Sequence, residues 1–133
     1  MTHSQQDSAR LLELARALLA EEIVPALPED ARYGARMVAN AMAIAAREMT
    51  AGEDTAQAER AALAKLYDEP PTPPGRADAE TIDEALDRLN WWLVAEIRAG
   101  RRDGDGRVHA LLRQAARARL RLVNPKALPD KDQ

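Results

Sequence analysis

The chain has 133 residues, enough for one domain with a hydrophobic core of its own. It contains no cysteine, which excludes disulfides, a thiolate nucleophile and sulfur ligands for zinc or iron–sulfur clusters. The formal net charge of −3 gives no overall attraction to nucleic acid. The sequence carries no signal-peptide pattern and no apolar run of roughly 20 residues, so we expect a cytoplasmic protein without membrane contact.

The first helix is predicted over residues 9–24. Ser8 can cap its first turn, and leucines recur at helical spacing along one side. Pro25 and Pro28 follow. Because proline lacks an amide donor and restricts the residue before it, we expect the helix to end there. Residues 1–7 are expected to be flexible.

The second helix contains the least polar stretch of the chain, Tyr33–Met49. Most of its circumference is alanine, methionine or aliphatic, whereas an ordinary surface helix keeps one apolar stripe. Small alanines let neighbouring helices approach, and methionines fill irregular gaps. We therefore expect a central helix that is contacted on several sides and ends near Gly52, which would adopt a left-handed cap conformation.

One polar row interrupts that helix. Arg36, Asn40, Ala43 and Arg47 are spaced four, three and four residues apart, so they face one direction. Three interpretations fit this row. It faces solvent, or Asn40 makes an internal hydrogen bond to a neighbouring helix, or the row lines a groove that presents Arg36 and Asn40 to a ligand or partner. The sequence leaves these interpretations open.

A third helix is predicted over residues 55–69, capped by Asp54 or Thr55. Residues 69–78 follow it and include four prolines and a glycine. Such a composition favours extended backbone and excludes a helix, so we expect a semi-rigid connector.

The fourth helix, over residues 79–99, has the clearest apolar periodicity. Trp91 falls opposite the apolar stripe, on a charged face, since each residue of a helix turns by about 100°. Either the tail or the connector covers this indole, or it is an anchor for a partner protein. The stripe comprises Ile82, Leu86, Leu89, Leu93 and Ile97.

The last helix is predicted over residues 106–123, after a turn whose spacing does not fit a calcium loop. Its exposed side carries a basic row, Arg113, Arg117 and Arg121, that we consider as an anion-binding surface. The alternative is a general preference for arginine on solvated faces. Residues 129–133 are expected to be flexible.

Groups that perform chemistry are missing from the pattern. There is no glycine-rich phosphate loop, and His3 and His109 lack a second histidine at metal-ligand spacing. No nucleophile elbow accompanies the few serines. We expect no metal, no cofactor, no nucleic-acid binding and no catalysis by the chain alone. The fold predicted is all-α, a single compact bundle of about five helices in one domain, 1–133.

Four segments in this order resemble a family of small bacterial helical proteins, with a likeness that runs from Arg10 to Leu128. Members of that family are often encoded beside a kinase similar to aminoglycoside phosphotransferases and beside an acyl-CoA dehydrogenase. One branch resembles the small companion subunit of a 4-hydroxyacyl-CoA kinase in levulinate and related hydroxy-acid breakdown. The segments are EEIVPALP, YGARMVANAMAIAARE, NWWLVAEIRAG and RLRLVNPKAL.

The resemblance implies a non-catalytic accessory subunit that docks on such a kinase, which would supply ATP, magnesium and the catalytic groups. Partner-binding positions are then Arg36, Asn40, Arg98 and Asn124, together with Trp91. Members often carry a histidine where Tyr33 stands, so no role of an imidazole transfers to this chain. Two alternatives remain: a bundle that self-associates or binds a small ligand, with a Trp91 homodimer as its simplest form, and an enzyme that acts on acyl-CoA substrates.

Overall fold

The computed structural model describes residues 3–68 and 80–129, and within them every regular element is helical. The all-α prediction is confirmed. In the described residues there are four main helices instead of five: α1 His3–Leu18, α2 Glu29–Leu66, α3 Ile82–Arg98 and α4 Gly106–Val123. None of these is long and apolar enough to cross a membrane. The predicted connector, 69–78, lies outside the described residues.

Helix α1 begins earlier and its helical path ends later than predicted. After it the chain passes through a π-helical turn, Leu19–Ile23, and one more α-helical turn, Val24–Ala26, so the prediction that Pro25 ends the helix is wrong. In a regular α-helix the proline ring collides with the carbonyl four residues earlier. The wider π turn directly before Pro25 provides the space that the ring needs.

The helical path ends at Leu27, whose backbone is extended with φ −77° and ψ 153°. Pro28 follows, and a residue before proline is restricted to this conformation. Arg32 then secures the end of the path, because its Nε donates to the Leu27 carbonyl at 2.9 Å and its Nη2 to the Pro25 carbonyl at 3.2 Å. These bonds satisfy carbonyls that have no partner inside the helix.

The predicted second and third helices are one continuous helix, α2. Gly52 lies inside it, so the predicted left-handed cap at this glycine is wrong. Glycine permits a left-handed conformation but does not impose one, and the alanine-rich sequence on both sides favours continued helix. The Glu48 side chain folds over the glycine, with Oε1 2.6 Å from the position that a Cβ would take.

The prediction that the second helix is contacted on several sides is also wrong. Ala39 and Ala46 are buried, but Tyr33 is 72% exposed and Met37 and Val38 are each 50% exposed. Apolar composition sets what a residue gains from burial, not whether the chain provides a neighbour to bury it. Part of the stretch therefore presents apolar side chains to solvent.

The chain divides into two compact units: unit 1 is Met1–Glu53 with Leu120–Gln133, and unit 2 is Asp54–Arg119. Helices α2 and α4 each contribute residues to both. The single-domain assignment stays a prediction. Unit 2 has the larger buried side chains, Leu63, Leu86, Leu89, Leu93 and Val108, whereas the core residues of unit 1 are Ala9, Val24, Ala39, Ala46, Leu122 and Leu128.

The turn between α3 and α4, in unit 2, is held by a charged network. Arg102 donates to Glu96 at 2.6 Å and to Asp105 at 3.1 Å, and Glu96 also accepts from the Tyr67 hydroxyl at 2.9 Å. Asp105 caps α4 by accepting from the Arg107 amide at 3.0 Å. Hydrogen bonds from the Arg107 side chain, with those from the amide and Arg102, lower the pKa of Asp105 to about 2.

Candidate functional site

The five predicted partner-binding residues are divided between two surface hollows. Trp91 and Arg98 line one hollow in unit 2, and Asn40 and Asn124 line another in unit 1. Arg36 is exposed on α2 and lines neither of these hollows. The structure therefore provides two candidate sites, each inside one unit.

The first site, here called the Trp91 hollow, lies on one face of α3 and has a volume of about 220 Å³. Trp91 is 69% exposed. The proline connector, one of the segments predicted as a cover for this indole, lies outside the described residues. Val94 beside it is 39% exposed. The acidic Asp87 and the basic Arg98 stand four residues before and seven residues after the tryptophan. The lining residues are Asp87, Asn90, Trp91, Val94 and Arg98.

The adjacent Trp92 has a different role. Its ring meets that of Tyr67 edge-on, with centroids 5.7 Å apart, and the Arg88 guanidinium stands 5.0 Å from its centroid. Arg88 is itself fixed by Glu80, through two hydrogen bonds of 2.7 Å each. Trp92 is therefore fixed by contacts within unit 2 although it is 47% exposed, and Trp91 is the more exposed of the two tryptophans.

The second site, the polar hollow, has a volume of about 390 Å³ and lies in unit 1. Helix α1 contributes one ion pair to it, α2 contributes an amide and a guanidinium, and the segment after α4 contributes an amide and a lysine. It is lined by Glu13, Arg16, Ala39, Asn40, Ala43, Arg47, Val123, Asn124, Pro125 and Lys126.

The charged groups of the polar hollow are partly fixed by bonds. Arg47 donates through Nε to the Leu122 carbonyl at 2.5 Å, which satisfies one of the last carbonyls of α4. Arg16 pairs with Glu13, with Nη2 and Oε1 2.6 Å apart, and this hydrogen bond lowers the pKa of Glu13. The polar row of α2 thus makes its internal hydrogen bond from Arg47, and not from Asn40 as one interpretation had it.

A third hollow, the apolar hollow, adjoins the polar hollow in unit 1 because both are lined by Glu13 and Arg47. Its volume is about 570 Å³, and three of its ten lining residues are alanine, beside Leu122 and six polar or charged residues. Alanine leaves space where a longer side chain would fill it. The lining residues are Gln6, Ala9, Arg10, Glu13, Ala46, Arg47, Thr50, Ala51, Arg121 and Leu122.

The predicted anion-binding row of α4 is divided. Arg121 lies in unit 1, at the apolar hollow, while Arg113 and Arg117 belong to unit 2. Arg113 is exposed and Arg117 is half-buried. The anion-binding role of the row stays a prediction.

Comparison with protein families decides the affiliation, because a family model described as a domain of unknown function, DUF6285, matches residues 25–127. The chain belongs to the DUF6285 family. The match begins after α1, so it includes Trp91, Asn40 and Asn124, and it leaves out the ion pair that α1 contributes to the polar hollow. Neither the curated proteins nor the solved structures gave a match to this DUF6285 chain.

Sequence reasoning identified Asn40, Asn124 and Trp91 but missed three groups of the polar hollow. Arg47 was predicted only as a member of the polar row, and neither Arg16 nor Lys126 was predicted to belong to a site. The spacing of Glu13 and Arg16, three residues apart, does signal an ion pair on α1. No sequence signal places that pair opposite α2 and the segment after α4.

Proposed function

We propose that this DUF6285 protein is a non-catalytic accessory subunit that docks on a kinase similar to aminoglycoside phosphotransferases. The complex would phosphorylate a hydroxyacyl-CoA in hydroxy-acid breakdown of the levulinate type, with ATP, magnesium and the catalytic groups supplied by the kinase. The choice of partner rests on the four segments that resemble the companion subunit of a 4-hydroxyacyl-CoA kinase.

The observation that carries a docking role is the exposure of Trp91. An indole that is 69% exposed keeps a large apolar surface in water, and burying that surface is favourable. Tryptophans at the centre of an interface commonly supply a large share of its binding energy. In the Trp91 hollow the apolar pair Trp91 and Val94 lies between polar groups, which is the arrangement of an interface core and its rim.

Copurification with the phosphotransferase-like kinase tests the proposal. We expect the wild-type chain to bind the kinase and to raise its turnover of a 4-hydroxyacyl-CoA. Trp91→Ala removes the anchor and should weaken binding roughly thirtyfold, the effect of about 2 kcal/mol. Leu112→Ala is the matched control, since Leu112 is also in unit 2 and 44% exposed but lies outside the Trp91 hollow.

One result would contradict the accessory role and another would contradict docking through the Trp91 hollow. One is a kinase that is fully active alone and binds this chain no more tightly than an unrelated kinase does. The other is equal loss of binding in Trp91→Ala and Leu112→Ala, because the hollow would then have no special part in docking.

Self-association through the same face is the second candidate, and the charges of the Trp91 hollow favour it. Asp87 and Arg98 stand on opposite sides of Trp91 along α3. When two copies of this face meet antiparallel about a twofold axis, each Asp87 approaches the Arg98 of the other copy. Light scattering at increasing concentration distinguishes the candidates. A dimer that Asp87→Arg weakens, and that the added Arg98→Asp restores, supports self-association, whereas a monomer throughout excludes it.

A further inference from the structure

Unit 1 contains a composite groove that is separate from the Trp91 hollow, on which the docking proposal rests, although it includes Asn40 and Asn124, two of the predicted partner-binding positions. The polar hollow and the apolar hollow adjoin along α1 and α2, and Glu13 and Arg47 line both. Volumes of about 390 Å³ and about 570 Å³ fall in the range of small-molecule sites. Every lining residue belongs to unit 1, so the groove exists within that unit.

The polar hollow favours a negatively charged group. Three cationic side chains and one carboxylate line it, which leaves a formal excess of two positive charges. Because Arg16 is paired with Glu13, the excess belongs to Arg47 and Lys126. Arg47 uses only Nε in its bond to the Leu122 carbonyl, so its two terminal nitrogens lie outside that bond. An arginine fork with a nearby ammonium is a suitable receptor for a carboxylate or phosphate.

Two amides add neutral donors to this charge. Asn40 on α2 and Asn124 after α4 both line the polar hollow, and both are exposed. Each side-chain amide carries two N–H donors that an oxyanion can accept. Cationic and amide donors therefore come together from separate parts of unit 1.

The apolar hollow offers a surface for the hydrocarbon end of a ligand, formed by alanines and Leu122. It is also lined by charged side chains, namely Arg10, Glu13, Arg47 and Arg121. Its floor includes Ala9, Ala46 and Leu122, each 7% exposed, so these side chains present little surface beyond the hollow itself. Small residues there leave length for a hydrocarbon chain, whose removal from water is favourable by about 0.8 kcal/mol for each CH₂ group.

We propose that the groove binds a small amphipathic oxyanion: a carboxylate or phosphate headgroup at Arg47, Lys126, Asn40 and Asn124, with an unbranched hydrocarbon tail along Ala9 and Ala46. The inference does not rest on the proposed function: the groove uses no residue of the Trp91 hollow, and the binding of a small oxyanion is measured on the chain without a kinase. The headgroup chemistry is shared by fatty acids and alkyl phosphates, and the two sources are separated by direct binding measurements.

Isothermal titration of the full chain tests the site with five probes. Octanoate and octyl phosphate carry both parts of the ligand, octanol lacks the charge, and acetate and inorganic phosphate lack the tail. We expect at least one of the first two probes to bind roughly tenfold or more tightly than octanol and than its own headgroup alone. The tighter of the two identifies the headgroup that the site prefers.

Variants locate the binding. Asn40→Ala and Lys126→Ala change exposed side chains of the polar hollow, so the fold is retained, and each should weaken octanoate or octyl phosphate binding roughly tenfold. Lys65→Ala, an exposed lysine of unit 2, is the control and should bind as the wild type does. Absence of binding, octanol binding as tightly as octanoate, or unchanged affinity in both polar-hollow variants would overturn the proposal.

Discussion

Trp91 and Trp92 are neighbours in the chain that differ in their side-chain contacts, although Trp92 is also 47% exposed. Trp91 is 69% exposed in its hollow, while Trp92 contacts the Tyr67 ring and lies beside the Arg88 guanidinium. Sequence periodicity placed Trp91 opposite the apolar stripe, about 200° from the buried Leu89 on the helical wheel, but left open whether another segment covers it. The contact of Trp92 with Arg88, four residues earlier on α3, follows from helical spacing, whereas its contact with Tyr67, which directly follows α2, depends on how distant segments pack within unit 2.

The two tryptophans should therefore differ in their effect on stability. Trp92→Ala loses an aromatic pair and a cation–π contact, and we expect it to lower the free energy of unfolding by about 1–2 kcal/mol. Trp91→Ala should change it by less than about 0.5 kcal/mol, as surface substitutions usually do. Urea unfolding followed by circular dichroism measures both, and similar losses in the two variants would contradict this assignment.

Single residues also decide where the helices begin. Thr81 and Glu84 form a capping box at the start of α3, with the Glu84 amide donating to Thr81 Oγ1 at 3.2 Å. The sequence carries its signature, Thr-x-x-Glu before an apolar run, so this start was predictable although we placed it near residue 79. Asp105 before α4 was recognisable in the same way.

At the scale of elements, α2 is the main departure from prediction. A glycine between two alanine-rich segments, such as Gly52, is compatible with both a helix cap and an interior helical position, so the glycine alone does not predict which forms. The decision depends on the residues that follow, and here helix formers follow directly. Pro25 was also predicted to end a helix, but a π turn accommodates it within the helical path.

Gly52→Ala separates the predicted break from the observed helix. In a continuous helix alanine should raise the free energy of unfolding by about 0.5–1 kcal/mol, since it has less backbone freedom to lose and the flexible Glu48 carboxylate can move aside. At a left-handed cap the same change would lower it. Gly100→Ala is the matched comparison, because Gly100 has φ +72° and alanine there should cost about 1 kcal/mol. Chemical denaturation of the three proteins gives the sign.

At the scale of the whole molecule, five carboxyl groups of the described residues favour folding at neutral pH. Hydrogen bonds from arginines lower the pKa of three glutamates: Arg16 donates to Glu13, Arg88 to Glu80 and Arg102 to Glu96. Hydrogen bonds from Thr81 lower the pKa of Glu84. Asp105 has the largest shift, to about 2. Groups whose pKa is lower in the folded state stabilise it fully above their unfolded values. That contribution is lost as the pH falls through the folded pKa values.

We therefore expect the thermal midpoint to be steady near neutral pH and to fall as the pH decreases from about 5 to about 2. Asp105→Asn should lower the midpoint by a few degrees at neutral pH, because it removes the charged acceptor for Arg102 and Arg107. The difference from the wild type should shrink toward about pH 2, where Asp105 itself becomes protonated. Calorimetry over this range measures both curves, and a constant difference would contradict the role of the charge.

The sequence predicted the fold class well and the enclosure of α2 poorly, for one physical reason. Helical periodicity is local, so it is legible in the sequence, whereas burial depends on neighbours that come from distant parts of the chain. The exposed Tyr33, Met37 and Val38 show the difference, as do Leu11 and Leu14 on α1. The polar hollow could not be predicted from the sequence for the same reason, since its lining residues come from three separate parts of unit 1.

The π turn at Leu19–Ile23 also sets the direction in which each side chain of α1 faces relative to the rest of unit 1. Each residue of a helix turns by about 100°, so deletion of a single codon there would rotate α1 by about that angle against the rest of unit 1. Ala9 and Glu13 would then swing away from the groove while the helix content stayed nearly the same. A one-residue deletion in this turn would thus reorient the side chains of α1 while the far-ultraviolet circular dichroism spectrum changed very little.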